Sequence, residues 1–202
     1  MTLPVLIRIF ARAPVPGRCK TRLMRSRGAS GAARVHRQLV RITVRQALAS
    51  GLPVELWTAP DPGHAFFAAL RRETGIVLRR QRSGDLGARM QHALRAGRPP
   101  GAATLIVGTD CPLLAPDLLR AAAACLEDHD AVLIPAEDGG YVLIGSRAPL
   151  KLRRIAWSSG REGRQTAGRI RRQGLRLQQL APLWDVDHPR DLARARRAGY
   201  LP

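Results

Sequence analysis

The 202-residue chain carries 34 Lys and Arg against 15 Asp and Glu, a formal charge of +19, with 45% apolar residues but only 4% aromatic ones. That length suits one α/β domain, expected over residues 1–202, with a core of aliphatic residues and alanine. No apolar run approaches the ~20 residues of a membrane span, and three cysteines without C-x-x-C spacing fit a reduced, cytoplasmic protein.

Residues 3–11 (LPVLIRIFA) form an aliphatic run broken at Arg8, without a basic segment before it or a cleavage site after it. It predicts a strand buried on both faces of a parallel sheet, not a signal peptide. A Pro/Gly-rich basic loop follows over 12–23. From about Ser30 the apolar positions Ala32, Val35, Leu39 and Ile42 fall three or four apart, a helical spacing that Gly51 and Pro53 stop. Strand 53–59, helix 61–74 and strand 76–80 come next. A loop then helix is expected over 84–96, a strand over 103–108 and a helix over 116–128. Strands 131–135 and 141–145, an irregular stretch 149–159, helix 161–173, strand 175–180 and helix 189–198 complete the chain. Alternating strands and helices predict a three-layer α/β/α fold with a mostly parallel mixed sheet. In such sheets ligands bind beyond the carboxyl ends of the strands.

The strong basic charge has to be weighed as a possible nucleic-acid footprint. Only Lys20 and Lys151 are lysines; the rest is arginine scattered through helical segments, as at Arg34, Arg37, Arg41 and Arg45. There is no aromatic-interleaved basic stripe, helix-turn-helix or zinc finger. Compositional bias accounts for such a pattern, while a continuous basic face would support a nucleic-acid binder that has lost catalysis. A catalytically inactive pathway partner is a separate alternative, against which Asp110 and the basic loop 12–23 argue.

Four motifs carry the chemistry. In Gly108-Thr-Asp-Cys-Pro-Leu-Leu114, Asp110 follows a buried strand directly, where a carboxylate has no packing role and a hard cation suits it. The loop 12–23 gathers Arg12, Arg18, Lys20 and Arg22 around Pro14, Pro16 and Gly17, an arrangement suited to a nucleotide's phosphates. It matches neither G-x-x-x-x-G-K-[ST] nor G-x-G-x-x-G. In Glu137-Asp-Gly-Gly-Tyr141, Asp138 is a candidate for binding the acceptor, acting as base or supporting a metal; the alternative is a tight hairpin turn. In Asp185-Val-Asp187 both carboxylates point to one side of an extended segment, as metal ligands beside Asp110, or with Asp187 as the cap of the last helix. Trp157 is placed to line an acceptor pocket, Trp57 and Trp184 to fill the core. No histidine receives a role, and no Ser-His-Asp order supports a hydrolase.

The run Phe10-Ala-Arg-Ala-Pro-Val-Pro-Gly17, Lys20-Thr-Arg-Leu23, Gly108-Thr-Asp-Cys-Pro112, Asp138-Gly-Gly-Tyr141 and Asp185-Val-Asp-His-Pro-Arg-Asp-Leu192 together resemble an uncharacterised glycosyltransferase-like family, in order along essentially the whole chain. That family is described as radical-SAM/selenodomain-associated transferases, some as arsenosugar-biosynthesis glycosyltransferases. It is also similar to molybdenum-cofactor and phospholactate guanylyltransferases. The resemblance implies a glycosyltransferase-A-like fold, Mg²⁺ or Mn²⁺, a nucleotide or nucleotide-sugar donor and a small-molecule acceptor. By position it implies Asp110 as metal carboxylate, with Arg12, Gly17, Lys20 and Arg22 in the basic loop. Gln81 and Gly84-Asp-Leu-Gly87, with Asp85 among them, correspond to the segment approaching base and ribose, and Arg89 and Met90 complete the pattern. A glycosyltransferase of this fold usually carries D-x-D; here one carboxylate stands in Asp110-Cys-Pro112, as in many nucleotidyltransferases. Asp110, Lys20 and Asp138 are the expected catalytic groups.

Overall fold

A computed structural model describes residues 3–202, so the first two positions of the expected domain lie outside the described residues. All seven expected strands form: β1 (Val5–Arg12), β2 (Val54–Ala59), β3 (Val77–Arg80), β4 (Ala103–Val107), β5 (Ala131–Pro135), β6 (Tyr141–Ser146) and β7 (Leu177–Gln179). They make one sheet in the order β3-β2-β1-β4-β6-β5-β7. Pairing is parallel except where β6 runs antiparallel to β4 and β5. The mixed, mostly parallel sheet is thus as expected.

Alternation along the strands feeds two layers. Val5, Ile7, Ile9 and Ala11 of β1 pack with α1 (Met24–Ala49), α2 (Ala65–Thr74) and α4 (Pro116–Asp128). The other face carries Trp57, Ile106, Leu133 and Ile144 against α3 (Leu86–Arg95) and α5 (Glu162–Arg171). A third cluster joins the N-terminal half of α1 to Trp184, Val186 and α6 (Pro189–Arg197). Among the described residues, no helix is long and apolar enough to cross a membrane.

Two local features differ from the sequence reading. Helix α1 starts at Met24, before the periodic stripe, and kinks at Gly28, whose φ of 65° suits glycine. Its first turn, Met24-Arg-Ser-Arg27, shows no apolar periodicity to announce it. Arg8, which breaks the apolar run of β1, is not solvated but 1% exposed. Its guanidinium donates to Glu55 Oε2 at 3.1 Å and to the carbonyls of Ala93 and Ala96, and lies 5.0 Å from the Trp57 ring centroid. A buried charge needs such partners, and the last carbonyls of α3 lack partners within the helix.

Candidate active site

Three segments distant in sequence meet at the carboxyl edge of the sheet. The loop after β1 leaves at Arg12, bends at Gly17 (φ 81°) and reaches Lys20, whose backbone is left-handed at φ 46°, ψ 45°. A non-glycine residue holds that conformation only when its surroundings require it. Here they do: Lys20 Nζ lies 2.8 Å from Asp110 Oδ1 and 2.9 Å from Asp187 Oδ1, with the side chain 3% exposed. Asp110 follows β4, and its carbonyl accepts from Val186 N at 2.8 Å, which sets the 185–187 stretch alongside. Arg22 reaches Asp187 Oδ2 at 2.8 Å.

The charges are strongly coupled. Burial works against the Lys20 ammonium, but Asp110 and Asp187 outweigh it and raise its pKa. Burial likewise opposes the Asp187 carboxylate, but Lys20 and Arg22 hold its pKa below the usual range. For Asp185 the balance reverses: burial, then repulsion from Asp138, Asp187 and Asp110, outweighs the pull of Lys20 and pushes it up to about 7. The alternative of Asp187 as helix cap is corrected. The Asp191 carboxylate accepts from the backbone N of His188 at 2.7 Å and of Asp187 at 3.2 Å, leaving the Asp187 side chain to the cations.

These groups border a cleft of about 790 Å³. Arg12, Lys20, Arg22, Asp110, Asp138 and Asp187 face it on the polar side; Phe10, Met90, Tyr141 and Trp157 form an apolar wall. Asp138 sits in the tight turn of the alternative reading and also borders the cleft. Its Oδ1 accepts from Gly140 N at 2.9 Å, as a turn residue does, while the residue also lines the cleft. That turn is pressed against the start of α5. Gly163 N donates to Gly139 O at 2.9 Å, and a Cβ on Gly163 would sit 2.6 Å from Gly140 O.

The remaining expected residues do not line the cleft and have structural tasks the sequence did not announce. Gly17 turns the basic loop, and Asp185 stands behind Asp187. Gln81 donates to Trp57 O at 2.8 Å and accepts from Arg89 at 3.1 Å, tying β2 to α3. Asp85 caps α3 by accepting from Ala88 N at 2.7 Å. Gly84 has φ 115°, and a Cβ on Gly87 would meet Leu152 O at 2.7 Å. From this segment Leu86 reaches the cleft.

One residue of the cleft was missed. His36, 5% exposed on α1, lines the cleft, with Nε2 2.9 Å from Arg12 O and Nδ1 4.0 Å from Asp110 Oδ1. Burial lowers its pKa, although Asp110 opposes the shift. A single histidine on an apolar helical face gives no sequence signal for this.

Among the described residues, no three His, Cys, Asp or Glu side chains converge as a ready-made metal site. What is present is a pair of carboxylates already holding one cation, with Asp185 under surplus negative charge behind them. Mg²⁺ is usually bound by one or two carboxylates together with substrate phosphates. The donor set therefore fits a divalent ion that shares a nucleotide's phosphates.

The model of the family DUF2064, described as an uncharacterized protein conserved in bacteria, matches residues 42–159. No curated protein matches the sequence. Among solved structures, a candidate nucleotide-diphospho-sugar transferase from Desulfovibrio desulfuricans G20 is 28% identical, with a TM-score of 0.83 over 93% of this chain and 84% of that one. A nucleotidyl transferase from Methanothermobacter thermautotroptrophicus is 18% identical, with a TM-score of 0.66 over 96% of both chains. A Mycobacterium tuberculosis H37Rv protein solved as a manganese complex is 18% identical, with a TM-score of 0.54 over 95% of this chain and 97% of that one. The fold is that of nucleotide-diphospho-sugar transferases and nucleotidyltransferases.

Proposed function

The chain belongs to this DUF2064 family of bacterial proteins, and we propose that it is a divalent-metal-dependent transferase of the cytoplasm, acting on a nucleotide or nucleotide-sugar donor and a small-molecule acceptor. The observation that carries the reading is the buried Lys20 ammonium paired with both Asp110 and Asp187 at the strand ends, inside a cleft large enough for a nucleotide. A cation already held there marks where positive charge is needed.

Mg²⁺ or Mn²⁺, held by Asp110 and Asp187 with Asp185 behind them, would supply Lewis-acid neutralisation of the donor's phosphates. The chain's own residues do the rest. Lys20 and Arg22 turn from the carboxylates to the phosphate oxygens, and Arg12 adds a planar fork of donors from the same loop. Gly17 keeps that loop close. Leu86 borders the space for the base and ribose, and Gln81, Gly84, Asp85 and Gly87 hold that segment and α3 in place around it. Asp138, across the cleft, orients the acceptor and takes its proton, while Tyr141 and Trp157 exclude water from the apolar wall.

Transfer at the α-phosphorus with release of pyrophosphate is the favoured chemistry. Asp110 is a lone carboxylate after β4, its partner Asp187 comes from a distant segment, and Lys20 lies between them. Sugar transfer is the second reading. It is supported by the likeness to the Desulfovibrio protein and by the motif resemblance to selenodomain-associated and arsenosugar transferases. Thermal unfolding with nucleoside triphosphates and with nucleotide sugars, with and without Mg²⁺, distinguishes them, since a ligand that binds only the folded state raises its stability. A metal-dependent rise with triphosphates, lost in Asp110→Ala, supports nucleotidyl transfer. A rise in neither series sinks the proposal.

A further inference from the structure

The mechanism above leaves His36 without a task. Its Nε2 lies 2.9 Å from Arg12 O, and a backbone carbonyl only accepts, so Nε2 carries the hydrogen. The ring is 5% exposed and held in place by that bond at the cleft wall. Nδ1 then presents a bare lone pair. It has no hydrogen-bond partner, although it is buried at the cleft wall. What it faces is Asp110 Oδ1, 4.0 Å away. Two electron-rich atoms confront each other across a gap that a cation shared by both can fill favourably. Lys20 neutralises Asp110 from another direction and does not bond Nδ1.

We propose that His36 Nδ1 is, with Asp110, a ligand of this site's divalent cation, and that it biases the site toward transition ions such as Mn²⁺ and Co²⁺ over Mg²⁺. The imidazole nitrogen and the carboxylate oxygen, 4.0 Å apart, would both be within reach of one small cation after a minor side-chain adjustment. Neutral imidazole suits transition ions, whereas Mg²⁺ prefers oxygen. The bond from Nε2 to Arg12 O is the support that metal-binding histidines ordinarily have, since it fixes both tautomer and ring orientation. It also couples the ligand to the start of the basic loop. The inference rests on the reading of Asp110 as a metal carboxylate.

The test is Mn²⁺ titrated into the nucleotide-free protein, followed by electron paramagnetic resonance, with the spin-echo modulation read for directly bonded nitrogen. Native protein is expected to show that coupling. His36→Gln, whose amide can still donate to Arg12 O, is expected to lose it, to bind Mn²⁺ roughly tenfold more weakly and to bind Mg²⁺ almost unchanged. Asp110→Asn is expected to abolish the site. Asp110-dependent Mn²⁺ binding without nitrogen coupling overturns the assignment of His36 and leaves Asp110 as metal ligand. An unchanged ratio of Mn²⁺ to Mg²⁺ affinity in His36→Gln overturns it too. Native-like Mn²⁺ binding by Asp110→Asn, or no binding by native protein, overturns both readings. Should the glutamine variant not fold, the native spectrum alone decides.

Discussion

Lys20 and Asp110 meet at 2.8 Å with the lysine backbone in the left-handed region, so one buried charge ties together the loops after β1 and β4. Removing one partner of a fully buried ion pair costs about 3–5 kcal/mol. Asp110 and Asp187 are 42% and 31% exposed, and water screens what remains. Lys20→Met is therefore expected to cost about 1–3 kcal/mol in urea unfolding. Adding Asp110→Asn to that variant should cost less than adding it to the native protein. Strictly additive losses would show that the pair is not coupled.

Arg22 should behave differently. Its side chain is 55% exposed, and such ion pairs contribute about 0–1 kcal/mol. Arg22→Ala is expected to leave unfolding within about 1 kcal/mol of native while weakening nucleotide binding in calorimetric titration. A large stability loss with unchanged nucleotide affinity would assign Arg22 to the fold and remove it from the site.

Glu55 sets an acid limit to stability. Burial pushes its pKa up, but hydrogen bonds from Trp57 Nε1 (2.9 Å) and Arg79 Nε (3.1 Å), with the charges of Arg8 and Arg79, bring it below the usual carboxylate range. The unfolded chain then binds the proton more readily than the folded one. The contribution is complete above the unfolded value of about 4.3 and is lost as pH falls through the lower folded value. Glu55→Gln is expected to cost about 2–4 kcal/mol at pH 7, because Arg8 stays buried without its carboxylate. It should also flatten the acid limb of the stability curve below about pH 4.3. Parallel native and variant curves across that range would contradict this.

Gly163→Ala tests the seam beside the cleft. The added methyl would sit 2.6 Å from Gly140 O, so the Asp138 turn and α5 must part. A loss of about 1–3 kcal/mol is expected in thermal unfolding, with faster hydrogen exchange at the Gly163 amide. Native-like exchange there would mean that the seam absorbs the methyl.

Much of the fold was legible because its signals are local. The aliphatic run ATLIV marked β4, and Pro116 with its apolar stripe marked α4. Asp110, Lys20 and Asp138 stood out because charged residues beside glycines and prolines at strand ends have no packing reason to be there. The remainder depends on contacts between distant residues, which local pattern cannot carry. The burial of Arg8 is decided by Glu55 and by the end of α3. Gln81 and Gly87 follow a motif yet serve packing, and the pairing of Lys20 with Asp187 spans 167 residues. His36 is visible only once α1 lies against the end of β1.

The reversed direction of β6 has an evolutionary consequence. It starts β6 at the carboxyl edge of the sheet, beside the ends of β4 and β5, and the chain comes back to the cleft after it, so Asp138, Tyr141, Trp157 and Glu162, all facing the cleft, come from one short continuous stretch. The opposite side is stitched from Lys20, Asp110 and Asp187, each on its own loop. Mutation within this one stretch can therefore reshape part of the cavity wall without replacing Lys20, Asp110 or Asp187. Grafting residues 138–162 from a relative should change which small molecules the cleft accepts.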